Sequence, residues 1–131
     1  MSQSQIRVLL VEDSKTDAAL VLRVLKQGGF LVDSLRVDTP VEFVRALEDR
    51  SWDVVLSDFS MPEFSGMDAF DELMRKDLDI PFIFVSGRIG EDLAAEAMRR
   101  GAKDYILKDN LKRLAPAVVA HQMLSCSMAT A

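Results

Sequence analysis

The stretch VVLSDFSMPEFSG, from Val54 to Gly66, joins an apolar run to an acid and then to a segment that contains proline and glycine. Asp58 comes directly after the apolar run. Proline and glycine are the residues that most often interrupt regular structure. The stretch therefore predicts a buried strand that delivers Asp58 to its end, followed by a turn. Asp is common in turns, so the rest of the chain must decide whether Asp58 has a further role.

Short runs rich in apolar residues recur along the chain and predict five strands. They lie at residues 6–11, 31–37, 54–56, 81–85 and 105–107. The run at 31–37 mixes Asp33, Ser34 and Arg36 among apolar residues, as expected of an edge strand with one face in water. The other four are apolar enough to be buried on both faces.

Helical patterns lie between these strands. Apolar residues at helical spacing lead up to Gly28, where the first helix should end. Thr39 followed by Pro40 has the pattern that opens a second helix. Further helices are predicted at about 67–76, at about 91–100, and from about Leu114 through Met123. Five alternations of strand and helix predict an α/β fold in which a doubly wound parallel sheet carries helices on both faces.

Length and composition narrow the class of protein. A chain of 131 residues fits a single domain, here 1–131 with a core at about 6–124 and a short flexible tail. No run approaches the roughly 20 apolar residues that span a bilayer, and the start lacks a secretory signal pattern, so we expect a cytoplasmic protein without membrane attachment.

One cysteine and one histidine exclude cysteine-rich zinc sites and two-histidine motifs. The net charge of -5 argues against direct binding of nucleic acid.

Polar side chains follow the four most apolar strands at the points where these strands end. They are Glu12 and Asp13, then Asp58, Ser86 and Lys108. Parallel strands bring their carboxyl ends to one edge of the sheet. Three carboxylates there would repel one another unless a hard cation such as Mg²⁺ is bound. Each residue alone is explained as a cap or a surface group, but together with a lysine and a hydroxyl they predict a site for a phosphoryl group.

Four motifs carry a family resemblance, in this order: VLLVEDS, LSDFSMPEFSGMD, FIFVSG and GAKDYILKDN. From about Ile6 to Ala120 the chain resembles the receiver domains of two-component response regulators, the CheY-like fold. The resemblance implies the flavodoxin-like strand order 2-1-3-4-5. It also implies that a phosphoryl group from a partner is accepted on Asp58.

The resemblance assigns roles to the remaining site residues. Asp13, Asp58 and the backbone carbonyl of Ser60 would hold Mg²⁺, with Glu12 acting mainly through water. Ser86 would hydrogen-bond the phosphoryl oxygens and Lys108 would pair with them. The backbone amides of Phe59 and Gly87 would point at the phosphoryl group. Tyr105 would change rotamer when Ser86 moves, so these two residues would form the switch.

Two positions depart from the family pattern. Most receivers have proline after the lysine, often in a cis peptide, whereas Asp109 follows Lys108 here, so a cis bond would be costly and the loop is expected to differ. The position after Ser86 is usually alanine and is Gly87 here. Neither departure removes a ligand.

The resemblance implies a phosphorylated switch and not an enzyme, one that would at most hydrolyse its own phosphoryl group. Its partners would be a sensor histidine kinase or phosphotransfer protein, and a downstream protein target or an effector domain in the same chain; a homodimer is a further option. Three alternatives stay open. The chain could be a receiver module from a larger sensor kinase or regulator, an interaction module that is never phosphorylated, or a phosphohydrolase, although such enzymes have an acid where Ser60 stands.

Overall fold

The computed structural model describes residues 4–59, 61, 64–87 and 91–121. Five strands alternate with helices along the chain. The strands are β1 Ser4–Val11, β2 Phe30–Val37, β3 Val54–Ser57, β4 Phe82–Ser86 and β5 Asp104–Leu107. The helices are α1 Lys15–Gln27, α2 Pro40–Asp49, α3 Gly66–Arg75, α4 Glu91–Arg99 and a last helix, α5, at 114–121. None of these helices is long and apolar enough to cross a membrane.

The strands form one parallel sheet in the order β2-β1-β3-β4-β5. Both the fold class and the strand order predicted from the sequence are therefore confirmed, including the edge position of β2. The register pairs Val11 with Ser57 between β1 and β3, and Ser86 with Leu107 between β4 and β5. Because the strands run in parallel, the residues that follow them emerge at one edge of the sheet.

Two hydrophobic layers cover the two faces of the sheet. In β1, Leu9 and Val11 belong to one cluster, which contains buried residues of α2, α3 and α4. Val8 and Leu10 belong to the other cluster, which contains buried residues of α1 and α5. This alternation follows from the two-residue period of a strand. It explains why the central strands are almost continuously apolar.

Side-chain caps fix where the first three helices begin. The hydroxyls of Ser14, Thr39 and Ser65 each accept a hydrogen bond from the backbone amide three residues later. Such caps satisfy amides that have no partner inside the helix. At the other end of α1, Gly29 has φ of 100°, a conformation that favours glycine. The predicted start of α2 and end of α1 are thus confirmed.

The segment after β5 differs from the prediction. A 3₁₀ helix at Lys108–Arg113 precedes the predicted last helix, and Asn110 inside it has non-helical dihedrals. The described peptide bonds, including the one between Lys108 and Asp109, are all trans. The predicted continuation of α5 through Met123 and the predicted flexible tail lie outside the described residues.

Candidate functional site

One edge of the sheet collects the polar residues that the sequence singled out. Glu12 follows β1, Asp58 follows β3, Ser86 ends β4 and Lys108 follows β5. Glu12, Asp58 and Ser86 are among the buried polar residues of the protein. Asp13, next to Glu12, is exposed. The strands therefore bring these five residues to the same edge of the sheet.

Carboxylate oxygens of Glu12, Asp13 and Asp58 all lie within 4.8 Å of one another. Oxygen donors are the ligands that Mg²⁺ prefers, and clustered carboxylates repel one another without a cation. The donor set therefore fits a hard divalent ion, with two buried acids and one exposed acid. The predicted fourth ligand, the carbonyl of Ser60, lies outside the described residues.

The ammonium group of Lys108 lies among three carboxylates. Its Nζ is 2.7 Å from Oδ2 of Asp17, 2.8 Å from Oε1 of Glu12 and 3.4 Å from Oδ2 of Asp58. An ammonium group has three N–H donors. The sequence predicted that Lys108 lies near Asp58, and the structure adds Asp17 and Glu12 as its nearer acidic partners.

Burial and charge set the protonation of Glu12 and Lys108. Burial raises the pKa of Glu12 to about 7, and the charge of Asp58 adds to the rise although a hydrogen bond from Lys108 opposes it. Burial alone would lower the pKa of Lys108, but hydrogen bonds to Asp17 and Glu12 outweigh it and raise the pKa above its usual value. Lys108 is therefore a fixed positive charge, whereas Glu12 titrates near neutral pH.

Backbone contacts hold Asp58 at the end of β3. Its amide donates to the carbonyl of Val11 at 2.9 Å, and its carbonyl accepts from the hydroxyl of Ser57 at 2.9 Å. The amide of Gly66 donates to the carbonyl of Phe59 at 3.0 Å. A Cβ at Gly66 would lie only 2.4 Å from the carbonyl oxygen of Asp58. The predicted turn after Asp58 thus depends on glycine at its far end.

Phe59 and Gly87 flank Asp58 and Ser86 along the chain. The ring of Phe59 meets the ring of Phe84 edge to face, with centroids 5.3 Å apart. Gly87 is exposed, and a Cβ added there would meet no atom of the described residues within 4 Å. An alanine at this position would therefore not clash with any of those residues. The assignment of their amides to a phosphoryl group stays a prediction.

Tyr105 occupies the strand next to Ser86. Its side chain packs against the cluster on the α2–α4 face, whereas Ile106 is buried in the opposite cluster. The two side chains lie on opposite faces of the sheet, as the two-residue period of a strand requires. The Tyr105 hydroxyl is buried with no hydrogen-bond partner among the described residues, and burial, followed by the charge of Asp109, raises the pKa of Tyr105.

Asp17 is an acid at this edge that the sequence reasoning missed. It lies in the first turn of α1, and its amide donates to the Ser14 hydroxyl. An acid there is ordinarily explained by the helix dipole. The available signal was that α1 starts directly after Glu12 and Asp13, so its first turn must lie at the same edge.

Known proteins are similar to this chain in sequence. The family model described as the response regulator receiver domain matches residues 8–119. A protein-glutamate methylesterase/protein-glutamine glutaminase of Caulobacter vibrioides is 34% identical over 83% of this chain, but the match covers only 32% of that protein. The chemotaxis protein CheY of Listeria monocytogenes is 27% identical over 79% of this chain and 86% of that protein.

Solved structures agree with the sequence comparison. A response regulator receiver domain protein from Clostridium thermocellum superposes with a TM-score of 0.81 at 26% identity, and the match covers 94% of this chain and 98% of that one. The signal receiver domain of a histidine kinase from Syntrophus aciditrophicus gives a TM-score of 0.73 at 28% identity, over 90% of each chain. The family model, the relatives and the strand order agree, and this chain belongs to the response regulator receiver domain family.

Proposed function

We propose that Asp58 is the phosphoacceptor of this receiver domain. A carboxylate oxygen of Asp58 attacks the phosphorus of a partner's phosphohistidine; the new O–P bond forms as the N–P bond breaks, and the electron pair stays on the imidazole nitrogen. The single observation that supports this assignment is the meeting of Asp58 with a lysine and two further acids at the carboxyl edge of the sheet. These are the groups that phosphoryl transfer requires.

Glu12, Asp13 and Asp58 would hold Mg²⁺, together with the carbonyl of Ser60. When bound, the ion neutralises negative charge on the transferring phosphoryl group. The clustering of the three carboxylates supports this assignment, because their mutual repulsion is relieved by a cation. The chain's own part is to hold these oxygens together at the ends of β1 and β3.

Lys108, Ser86 and two backbone amides would bind the phosphoryl oxygens. Lys108 carries a fixed charge 3.4 Å from Asp58, which supports its pairing with the added dianion. The Ser86 hydroxyl, buried at the end of β4, would donate a hydrogen bond. The amides of Phe59 and Gly87 would do the same, and no described residue would crowd a Cβ at Gly87.

The signal would leave through Tyr105. As Ser86 moves toward the phosphoryl group, the ring of Tyr105 would turn into the space beside β4. Its hydroxyl gives up no hydrogen bond to a described residue when it moves, which supports this role. The face formed by α4, β5 and α5 would then be read by a partner or by a second copy of the chain.

The partners follow from this chemistry. A sensor histidine kinase or a phosphotransfer protein would supply the phosphoryl group, and a protein target or an effector domain in the same chain would read the result. The relatives include a methylesterase and a transcriptional regulatory protein. The match covers 32% of the length of the first and 30% of the length of the second. We propose a cytoplasmic setting and no catalytic activity beyond loss of its own phosphoryl group.

Incubation with acetyl phosphate and Mg²⁺, followed by intact mass measurement and peptide mapping, tests the assignment. We expect one phosphoryl adduct per chain, on Asp58, and none on Asp58→Asn. Asp53→Asn is the matched control, because Asp53 lies just before β3 at the opposite end from Asp58. An Asp58→Asn protein that accepts phosphate at the wild-type rate would contradict the proposal.

A further inference from the structure

We propose that Asp17 is a positioning residue that holds the ammonium group of Lys108 back from Asp58 and competes with the phosphoryl group for it. The inference rests on the proposed function of Asp58. It adds a residue that restrains the site before phosphorylation.

The distances place Lys108 closer to Asp17 than to the acceptor. Nζ lies 2.7 Å from Asp17, 2.8 Å from Glu12 and 3.4 Å from Asp58. The two shorter distances are those of strong charge-assisted hydrogen bonds, whereas 3.4 Å is at the long end. The resting position of the ammonium is therefore set by Asp17 and Glu12.

The start of α1 holds Asp17 in this position. The amide of Asp17 donates to the Ser14 hydroxyl at 3.2 Å, and the amide of Ser14 donates to Oε2 of Glu12 at 3.2 Å. Asp17 and Glu12 are thus joined through the cap of α1 as well as through Lys108. These bonds fix the backbone from which the Asp17 carboxylate reaches Lys108.

The helices α1, α2 and α3 each have an acid three residues after the cap, but only in α2 and α3 does its carboxylate bond to the backbone at the helix start. In α2 the carboxylate of Glu42 accepts from the backbone amide of Asp38, and in α3 the carboxylate of Asp68 accepts from the amide of its own cap, Ser65. Asp17 occupies the same helical position as both, three residues after the cap. Its carboxylate instead reaches Lys108, 91 residues away in sequence.

Competition with a phosphoryl group follows from charge. An aspartyl phosphate carries close to two negative charges, so it attracts the ammonium more strongly than one carboxylate does. The Asp17 side chain is 36% exposed, so solvent weakens its hold on the lysine. Removing its charge should therefore favour the phosphoryl-bound state by about three- to tenfold.

Asp17→Asn tests the proposal, with Asp68→Asn as the matched control. Both variants replace a first-turn aspartate three residues after a serine cap and change the charge equally. Affinity for beryllofluoride with Mg²⁺ is measured by calorimetry, and the phosphorylation rate with acetyl phosphate by intact mass. We expect Asp17→Asn to bind the analogue about three- to tenfold more tightly and to be phosphorylated faster, with Asp68→Asn like wild type. Equal or weaker binding by Asp17→Asn overturns the proposal.

A second measurement reads the contact without metal or phosphate. The side-chain ¹H–¹⁵N signal of the Lys108 ammonium should be observable in the wild type, where hydrogen bonds slow its exchange, and should broaden in Asp17→Asn. Asp17→Glu should restore it in part. An unchanged signal in Asp17→Asn overturns the proposed contact between Asp17 and Lys108, even if Asp58 is the acceptor. If the signal shows the contact but no variant takes up phosphate or analogue, the proposed function of Asp58 fails. The proposed competition between Asp17 and the phosphoryl group then fails as well.

Discussion

The body of the sheet and its carboxyl edge are both buried but differ in chemistry. Within β3 and β4 the buried side chains are almost all apolar, such as Leu56 and Phe84. One residue past β1 and β3, the buried residues Glu12 and Asp58 are acids. Apolar burial stabilises a fold, whereas burial of acids that repel one another opposes it. The apolar burial in the strand bodies therefore offsets the free-energy cost of burying acids at the edge.

The largest effect is expected from Phe84→Ala in the body of the sheet. Phe84 is fully buried and lies within 5.3 Å, between ring centroids, of both Phe59 and Phe82. We expect the free energy of unfolding to fall by about 3–5 kcal/mol in urea titrations, because the variant leaves a cavity. Phe84→Leu, which keeps most of the volume, should lose less. A loss below about 1 kcal/mol for alanine would show that the two regions do not differ as described.

A smaller effect of opposite sign is expected from Glu12→Gln at the edge. The folded pKa of Glu12 is about 7, above its ordinary 4.5, so between these values the folded state holds a proton that the unfolded state releases. The Glu12 contribution to stability is therefore fully present below about pH 4.5 and is lost as pH rises toward about 7. Glutamine mimics the protonated acid and should remove this loss, which is at most about 3 kcal/mol.

The measurement is urea unfolding of metal-free protein at intervals across that pH range. The difference between the two proteins should grow in favour of Glu12→Gln as pH rises. If both proteins show the same pH dependence, Glu12 ionises as freely when folded as when unfolded, and the contrast between body and edge is weaker than described.

Asp13→Ala should separate metal binding from stability. Asp13 is the exposed acid of the cluster, so its removal deletes one ligand and also relieves repulsion. We expect Mg²⁺ affinity to fall roughly tenfold or more, while metal-free stability stays equal or rises by about 1 kcal/mol or less. Asp79→Ala, an exposed acid just before β4, is the control for a change in net charge. Strong destabilisation of Asp13→Ala without metal would identify Asp13 as a structural cap.

Tyr105→Ala tests whether the edge communicates with the surface. Burial of an aromatic ring is worth about 1–3 kcal/mol, enough to shift a two-state population severalfold to about a hundredfold. We expect beryllofluoride to change dimerisation or partner binding in the wild type and to do so less in the variant. Sedimentation with and without the analogue measures this. An equal response in both proteins would leave Tyr105 as a packing residue.

Much of the fold was predictable because its signals are local. The strands predicted at 6–11 and 81–85 are short apolar runs. Both ends of each strand in the structure lie within two residues of the predicted ends. Thr39 and Gly28 mark helix ends by their own conformational preferences. The 3₁₀ helix at Lys108–Arg113 was missed, because no single residue in it carries a strong signal and its conformation depends on how β5 joins α5.

For the site, the sequence by itself determined which residues reach the edge. Parallel strands deliver Glu12, Asp58 and Lys108 to one end whatever their side chains do, because the direction of the backbone is set by the alternation of strand and helix. The tertiary structure alone decided how their charges are distributed. The 2.7 Å contact between Asp17 and Lys108 joins groups that are far apart in the chain. Burial in the fold raises the pKa of Glu12, whereas the neighbouring Asp13 stays exposed. Coulombic and desolvation energies depend on distance and burial, which no local pattern encodes.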